Sequence, residues 1–130
     1  MQKTLTPTME DYLELISNLK KRNRVVRVKN IAQELKIKMP SVSEALKLLV
    51  KEGLIIHKKY GNIELTEKGN KLAEDVKSRH QTIFKFLNEV LGINPKTANN
   101  DACKMEHSIS TITLERLIVF LESIKSSYQE

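Results

Sequence analysis

Between Val28 and Leu65 the hydrophobic pattern runs through two helices and then changes to short alternating runs, and this order leaves few folds open. Ile31, Ala32 and Leu35 form a helical stripe over Val28 to Leu35. Lys36-Ile37-Lys38-Met39 reads as a turn, and Pro40, whose φ is already helical, opens the next helix. Val42, Ala45, Leu46 and Leu49 give that helix one buried stripe as far as about Glu52, where Gly53 acts as a C-terminal stop. Leu54 to Lys59 and Asn62 to Leu65 then read as two short strands around Tyr60-Gly61. Helix, turn, helix and hairpin in this order make a winged helix-turn-helix.

Helices flank this core on both sides. Thr6-Pro7 reads as an N-cap followed by Pro at the first helical position, and Met9, Tyr12, Leu13, Ile16 and Leu19 recur at helical spacing until the basic stretch from Lys20 to Arg24. From Thr66 a long helix reaching Leu91 is expected, with Leu72, Val76, Ile83, Leu87 and Val90 as its seam and His80 set into that seam. Gly92 breaks it, and Asn94-Pro95 starts another. Ser110 separates this from a final helix carrying Ile112, Leu117, Ile118, Leu121 and Ile124. The expected fold is mainly α: a winged helix-turn-helix domain over residues 1–70 and a helical domain over 71–130, sharing the long helix as a strut.

Composition narrows the class of function. The net charge of +6 is unevenly placed: residues 1–66 hold 13 Lys/Arg against 7 Asp/Glu, whereas residues 67–130 hold 9 of each. A basic half joined to a neutral half is the electrostatic footprint of a nucleic-acid-binding module, and also of a basic solvated face. One Cys in 130 residues excludes an internal disulfide framework. No apolar stretch approaches the roughly 18–20 residues of a membrane span, and Met1-Gln2-Lys3-Thr4-Leu5 lacks the apolar core of a signal peptide, so a cytoplasmic protein is expected.

The helix opened by Pro40 is the one expected to enter a DNA major groove, with Ser41, Ser43, Glu44 and Lys47 facing base edges. Lys38 and Pro40 at its start and Lys58, Lys59 and Tyr60 on the wing are candidates for the DNA surface, the lysines meeting phosphates, which supply affinity but little sequence information.

The second cluster has different chemistry. Cys103-Lys104-Met105-Glu106-His107 on a helix stacks a thiol, a carboxylate and an imidazole at i, i+3 and i+4, while Asp11 and Glu14 sit one turn apart on the polar side of the first helix. With His80 these six form a mixed sulfur, nitrogen and oxygen donor set suited to a divalent transition metal. Each has a plainer reading. Asp11 and Glu14 are also what a solvated helix face presents, His80 what a core histidine looks like, and Cys103 a small buried hydrophobe. Taken together, metal ligands on either side of a DNA-reading module suggest a metal-controlled switch.

At these residues the chain resembles the diphtheria-toxin-repressor family of iron- and manganese-responsive transcription regulators, in its short form without an SH3-like domain. Met-Glu-Asp-Tyr-Leu-Glu at 9–14, Asn-Ile-Ala-Gln-Glu-Leu at 30–35, Pro-Ser-Val-Ser at 40–43, Leu-Thr-Glu-Lys-Gly at 65–69 and Asp-Ala-Cys-Lys-Met-Glu-His at 101–107 carry the likeness, which covers nearly the whole chain. The resemblance implies a homodimer joined through the C-terminal helices, Fe(II) or Mn(II) as co-repressor, and a palindromic double-stranded DNA operator. It also implies that Cys103, Glu106 and His107 correspond to ligands of the iron branch, and Asp11, Glu14 and His80 to ligands of the manganese branch. The iron branch has Met where Asp11 stands, and the manganese branch has Glu where Cys103 stands. Phe84 and Asn99 occupy positions that are ligands of the iron branch's ancillary site, which puts that separate site in doubt and brings His80 toward the main one.

The function expected is metal-dependent transcriptional repression, with no catalytic residues. The alternatives are a metal-independent winged-helix regulator whose C-terminal helices only dimerise, and a small metallohydrolase. The last has neither a His-Glu-x-x-His motif nor a Gly-rich phosphate loop in its favour.

Overall fold

Residues 7–23, 25–59 and 61–128 are described by the computed structural model. Thr6, Arg24 and Tyr60, read above as a cap, part of the basic stretch and a wing residue, lie outside the described residues. The chain divides into two compact units, Met1–Asp75 and Val76–Glu130.

In the first unit the apolar stripes meet in one core. Tyr12, Leu13, Ile16 and Leu19 of α1 (Pro7–Asn23), Ile31 and Ala32 of α2 (Val28–Leu35), and Val42, Leu46 and Leu49 of α3 (Met39–Lys51) are all buried there. Burial pushes the Tyr12 phenol above its ordinary range, because the charged form would lose its solvation there. α2 ends at Lys36, a non-glycine residue in the left-handed region (φ 57°), and Ile37 N donates to Ala32 O at 3.2 Å. The chain thereby leaves α2 within a few residues of the start of α3 at Met39. β1 (Ile55–His57) and β2 (Ile63–Leu65) pair antiparallel, Ile55 opposite Leu65 and His57 opposite Ile63. Ile63 N also donates to Val26 O at 2.8 Å, tying the wing to the segment that leads into α2.

Thr66 and Gly69 explain the Leu-Thr-Glu-Lys-Gly run. Thr66 Oγ1 accepts from Gly69 N at 3.0 Å, capping α4 (Glu67–Lys85), and donates to Gly53 O at 2.7 Å, fastening that cap to the end of α3. Gly69 lies so close to the strand entry that a Cβ on it would overlap the Leu54 carbonyl oxygen.

In the second unit Ile83 and Leu87 pack with Ala98 and Ala102 of α5 (Pro95–Met105). Asn94 Oδ1 accepts from Thr97 N at 2.9 Å and starts α5, and Ser110 Oγ accepts from Thr113 N at 3.2 Å and starts α6 (Thr111–Tyr128). Phe86 and Phe120 meet edge to face, with centroids 6.2 Å apart. No helix among the described residues is long and apolar enough to cross a membrane.

Several sequence expectations need correction. α3 begins at Met39, one residue before Pro40. The strands are three residues each, because pairing covers only the segment of matched register. The long helix keeps α geometry only to Lys85, and Phe86–Val90 is a π turn whose i to i+5 bond runs from Leu91 N to Phe86 O at 3.1 Å. That wider turn shifts the seam, leaving Val90 exposed. Ile112 is 70% exposed and lies outside any seam of this unit. α5 stops at Met105, so Glu106 is its C-cap and His107 sits in the following turn.

Candidate metal centre and nucleic-acid interface

Glu106 is 1% exposed, and a carboxylate is rarely found so deep without charged or hydrogen-bonding company. Its company here is imidazole on both oxygens. His80 Nδ1 lies 3.1 Å from Glu106 Oε2, and His107 Nε2 lies 3.5 Å from Glu106 Oε1. Cys103 Sγ is 3.7 Å from the same His80 Nδ1. One ligand atom each from His80, Cys103 and Glu106 can be chosen so that all three lie within 4.8 Å of one another.

Local structure produces this cluster. Asn99, Cys103 and Glu106 are spaced i, i+4 and i+7, so α5 presents them on one face. Glu106, although only the cap, keeps helical φ and ψ of −59° and −25°, so the face continues to it. Arg79 Nη1 donates to the Glu106 carbonyl oxygen at 3.0 Å and closes the end of the helix. His80 follows Arg79 on α4, and its Nε2 is 2.8 Å from Asn99 Oδ1.

The donors fit a divalent metal. Ligands at about 2.0–2.3 Å from one ion, at near-tetrahedral angles, stand roughly 3.3–3.7 Å from each other. The His80–Glu106 and His80–Cys103 separations, 3.1 and 3.7 Å, fall close to that range. Of the other expected ligands, Asp11 and Glu14 are one turn apart on α1 in the first unit, Asp11 exposed and Glu14 half-buried. Arg79 carried no signal in the sequence, and Asn99 entered it only as a residue standing at an ancillary-site ligand position, one turn before Cys103.

On the DNA-reading side, Lys38 is the N-cap of α3, and Lys38, Pro40, Ser41, Glu44 and Lys47 are exposed. Ser43 is half-buried at the margin of that face. Leu48, 54% exposed and four residues after Glu44, joins the face as an apolar member that the sequence reading had left out. Lys58 and Lys59 are exposed beyond β1, and Lys58 Nζ pairs with Glu64 Oε1 at 3.2 Å. Lys47 Nζ pairs with Glu44 Oε1 at 3.5 Å across one turn of α3.

Two family profiles match these two regions. Residues 4–63 match the iron dependent repressor, N-terminal DNA binding domain, and residues 66–129 match the iron dependent repressor, metal binding and dimerisation domain. An uncharacterised helix-turn-helix transcriptional regulator of Methanocaldococcus jannaschii is 40% identical over 122 residues, covering 93% of this chain and 98% of that one. The transcriptional regulator MntR of Escherichia coli is 38% identical over 114 residues, covering 88% of this chain and 73% of its own length. Among solved structures, the manganese regulator SloR superposes with a TM-score of 0.78 at 35% identity over 91% of this chain. The chain spans about half the length of SloR, 55%. With both halves matched and a relative this similar over its full length, the chain belongs to the iron-dependent repressor family of DNA-binding, metal-responsive transcriptional regulators.

Proposed function

We propose that this chain is a homodimeric repressor that reads a palindromic double-stranded operator through α3 and the wing. Its operator affinity rises when a divalent metal, Fe(II) or Mn(II), is held by His80, Cys103, Glu106 and His107 together with Asp11 and Glu14. The observation that carries the reading is the set of His80, Cys103 and Glu106 donors within 4.8 Å around a carboxylate that is 1% exposed. The likeness to a protein described as a manganese regulator, and to profiles described as iron-dependent repressors, supports the choice of these two ions.

A bound dication supplies the positive charge that lets several carboxylates share one site. The chain's own residues do the rest. His80, Cys103, Glu106 and His107 belong to the second unit, and Asp11 and Glu14, on α1, belong to the first. α1 shares its core with α2 and α3, so a change that fixes α1 also bears on the recognition helix. Metal and DNA are coupled to the extent that the ligand set is complete only in the DNA-reading arrangement. On this reading the repressor acts where its operator DNA is, and a cytoplasmic location is part of the proposal. α6 supplies apolar surface for the second copy: Ile112, Val119 and Phe120 are 70, 62 and 41% exposed.

The test is operator-fragment binding at fixed salt across anaerobic Fe(II), Mn(II), Co(II), Ni(II), Zn(II) and chelator. Fe(II) or Mn(II) should give the repressing complex and chelator should dissolve it. A metal-independent winged-helix regulator would bind equally in every sample.

A further inference from the structure

We infer that Asn99 is a positioning residue for the metal centre: it fixes the His80 ring in the tautomer that turns a lone pair, not a proton, toward Cys103 and Glu106. A neutral imidazole carries one N–H and one acceptor nitrogen, and the partner of one nitrogen decides the role of the other. His80 Nε2 lies 2.8 Å from Asn99 Oδ1, and an amide oxygen only accepts, so the proton belongs on Nε2. Nδ1 is then the acceptor, and Nδ1 is the atom 3.1 Å from Glu106 Oε2 and 3.7 Å from Cys103 Sγ. A cation held by both His80 Nδ1 and Glu106 Oε2 takes the place of a proton shared between them. Asn99, Cys103 and Glu106 share one face of α5, so a single helix both supplies two donors and aims the third, which α4 carries. Outer-shell partners of this kind orient a ligand ring and raise its basicity.

The inference rests on His80 being a ligand, as proposed above, and the experiment separates the two claims. Zn(II), which is diamagnetic, is titrated into the full-length protein and its variants, and imidazole ¹⁵N spectra are recorded on the loaded forms. Asn99→Ala should weaken Zn(II) binding by about tenfold and speed solvent exchange of the His80 Nε2 proton. Asn99→Asp, which keeps an accepting oxygen, should restore both. Asn99 is exposed, so these variants should melt with the wild type. If Asn99→Ala binds Zn(II) like the wild type while His80→Ala does not, the positioning role is overturned and the metal site stands. Equal losses in Asn99→Ala and Asn99→Asp overturn it too, because an acceptor would then have no effect. If His80→Ala binds Zn(II) as tightly as the wild type, His80 leaves the ligand set and both claims about it fall.

Discussion

The residue on which the account turns is Glu106, a carboxylate removed from solvent with a histidine nitrogen near each oxygen. Glu106→Gln keeps the shape and removes the charge, which makes it a cleaner probe than truncation. It should leave a folded protein, since the apolar clusters and not the ligands hold the two units. Metal affinity should fall by more than the roughly 10–100-fold that loss of an outer-shell partner costs. Calorimetric titration with Mn(II) measures this, and unchanged affinity would remove Glu106 from the site. The donor types were legible in the sequence because Cys-x-x-Glu-His sets three of them along one direction. Their support was not. Asn99 reads as a lost ligand in one dimension, and only the packing of α4 on α5 shows that its amide oxygen meets His80.

At the scale of elements, caps and stripes were legible and irregular geometry was not. Pro7, Asn94 and Ser110 marked helix starts because each acts through local backbone chemistry. The π turn at Phe86–Val90 left no mark, since an extra residue in a turn is set by what the helix packs against. Glycine marks could be read only as breaks, and Gly69 has a different role in the middle of the first turns of α4. There its missing Cβ allows α4 to meet the Leu54 carbonyl, so Gly69→Ala should lower stability by about 1–3 kcal/mol, visible as a drop of several degrees in Tm. A variant melting with the wild type would mean that α4 moves away at no cost. The recognition helix and the wing should also separate functionally. Lys59→Ala should weaken binding to all sequences and reduce the salt slope by about one unit, whereas Glu44→Ala should alter base preference at a cost of about 1–3 kcal/mol. A wing change that shifts sequence preference, with a Glu44 change that does not, would contradict α3 as the reading element.

For the whole molecule, charge is the feature that joins sequence to function most simply. All the excess positive charge lies in residues 1–66, the half that contains the helix-turn-helix, and the acidic and thiol donors Glu106 and Cys103 lie in the neutral half. What the sequence could not supply was the mutual placement of donors from different helices, which depends on tertiary packing. The central claim is that one ligand set serves two equilibria, and linkage makes that claim measurable from either side: the factor by which metal raises operator affinity must equal the factor by which operator raises metal affinity. The most direct measurement is operator affinity at fixed salt with saturating Mn(II) or Fe(II) and again with chelator. Metal should raise operator affinity by at least about tenfold, a coupling of about 1.4 kcal/mol or more, and the gain should be lost in Glu106→Gln. Equal affinity in the two conditions would contradict the central claim.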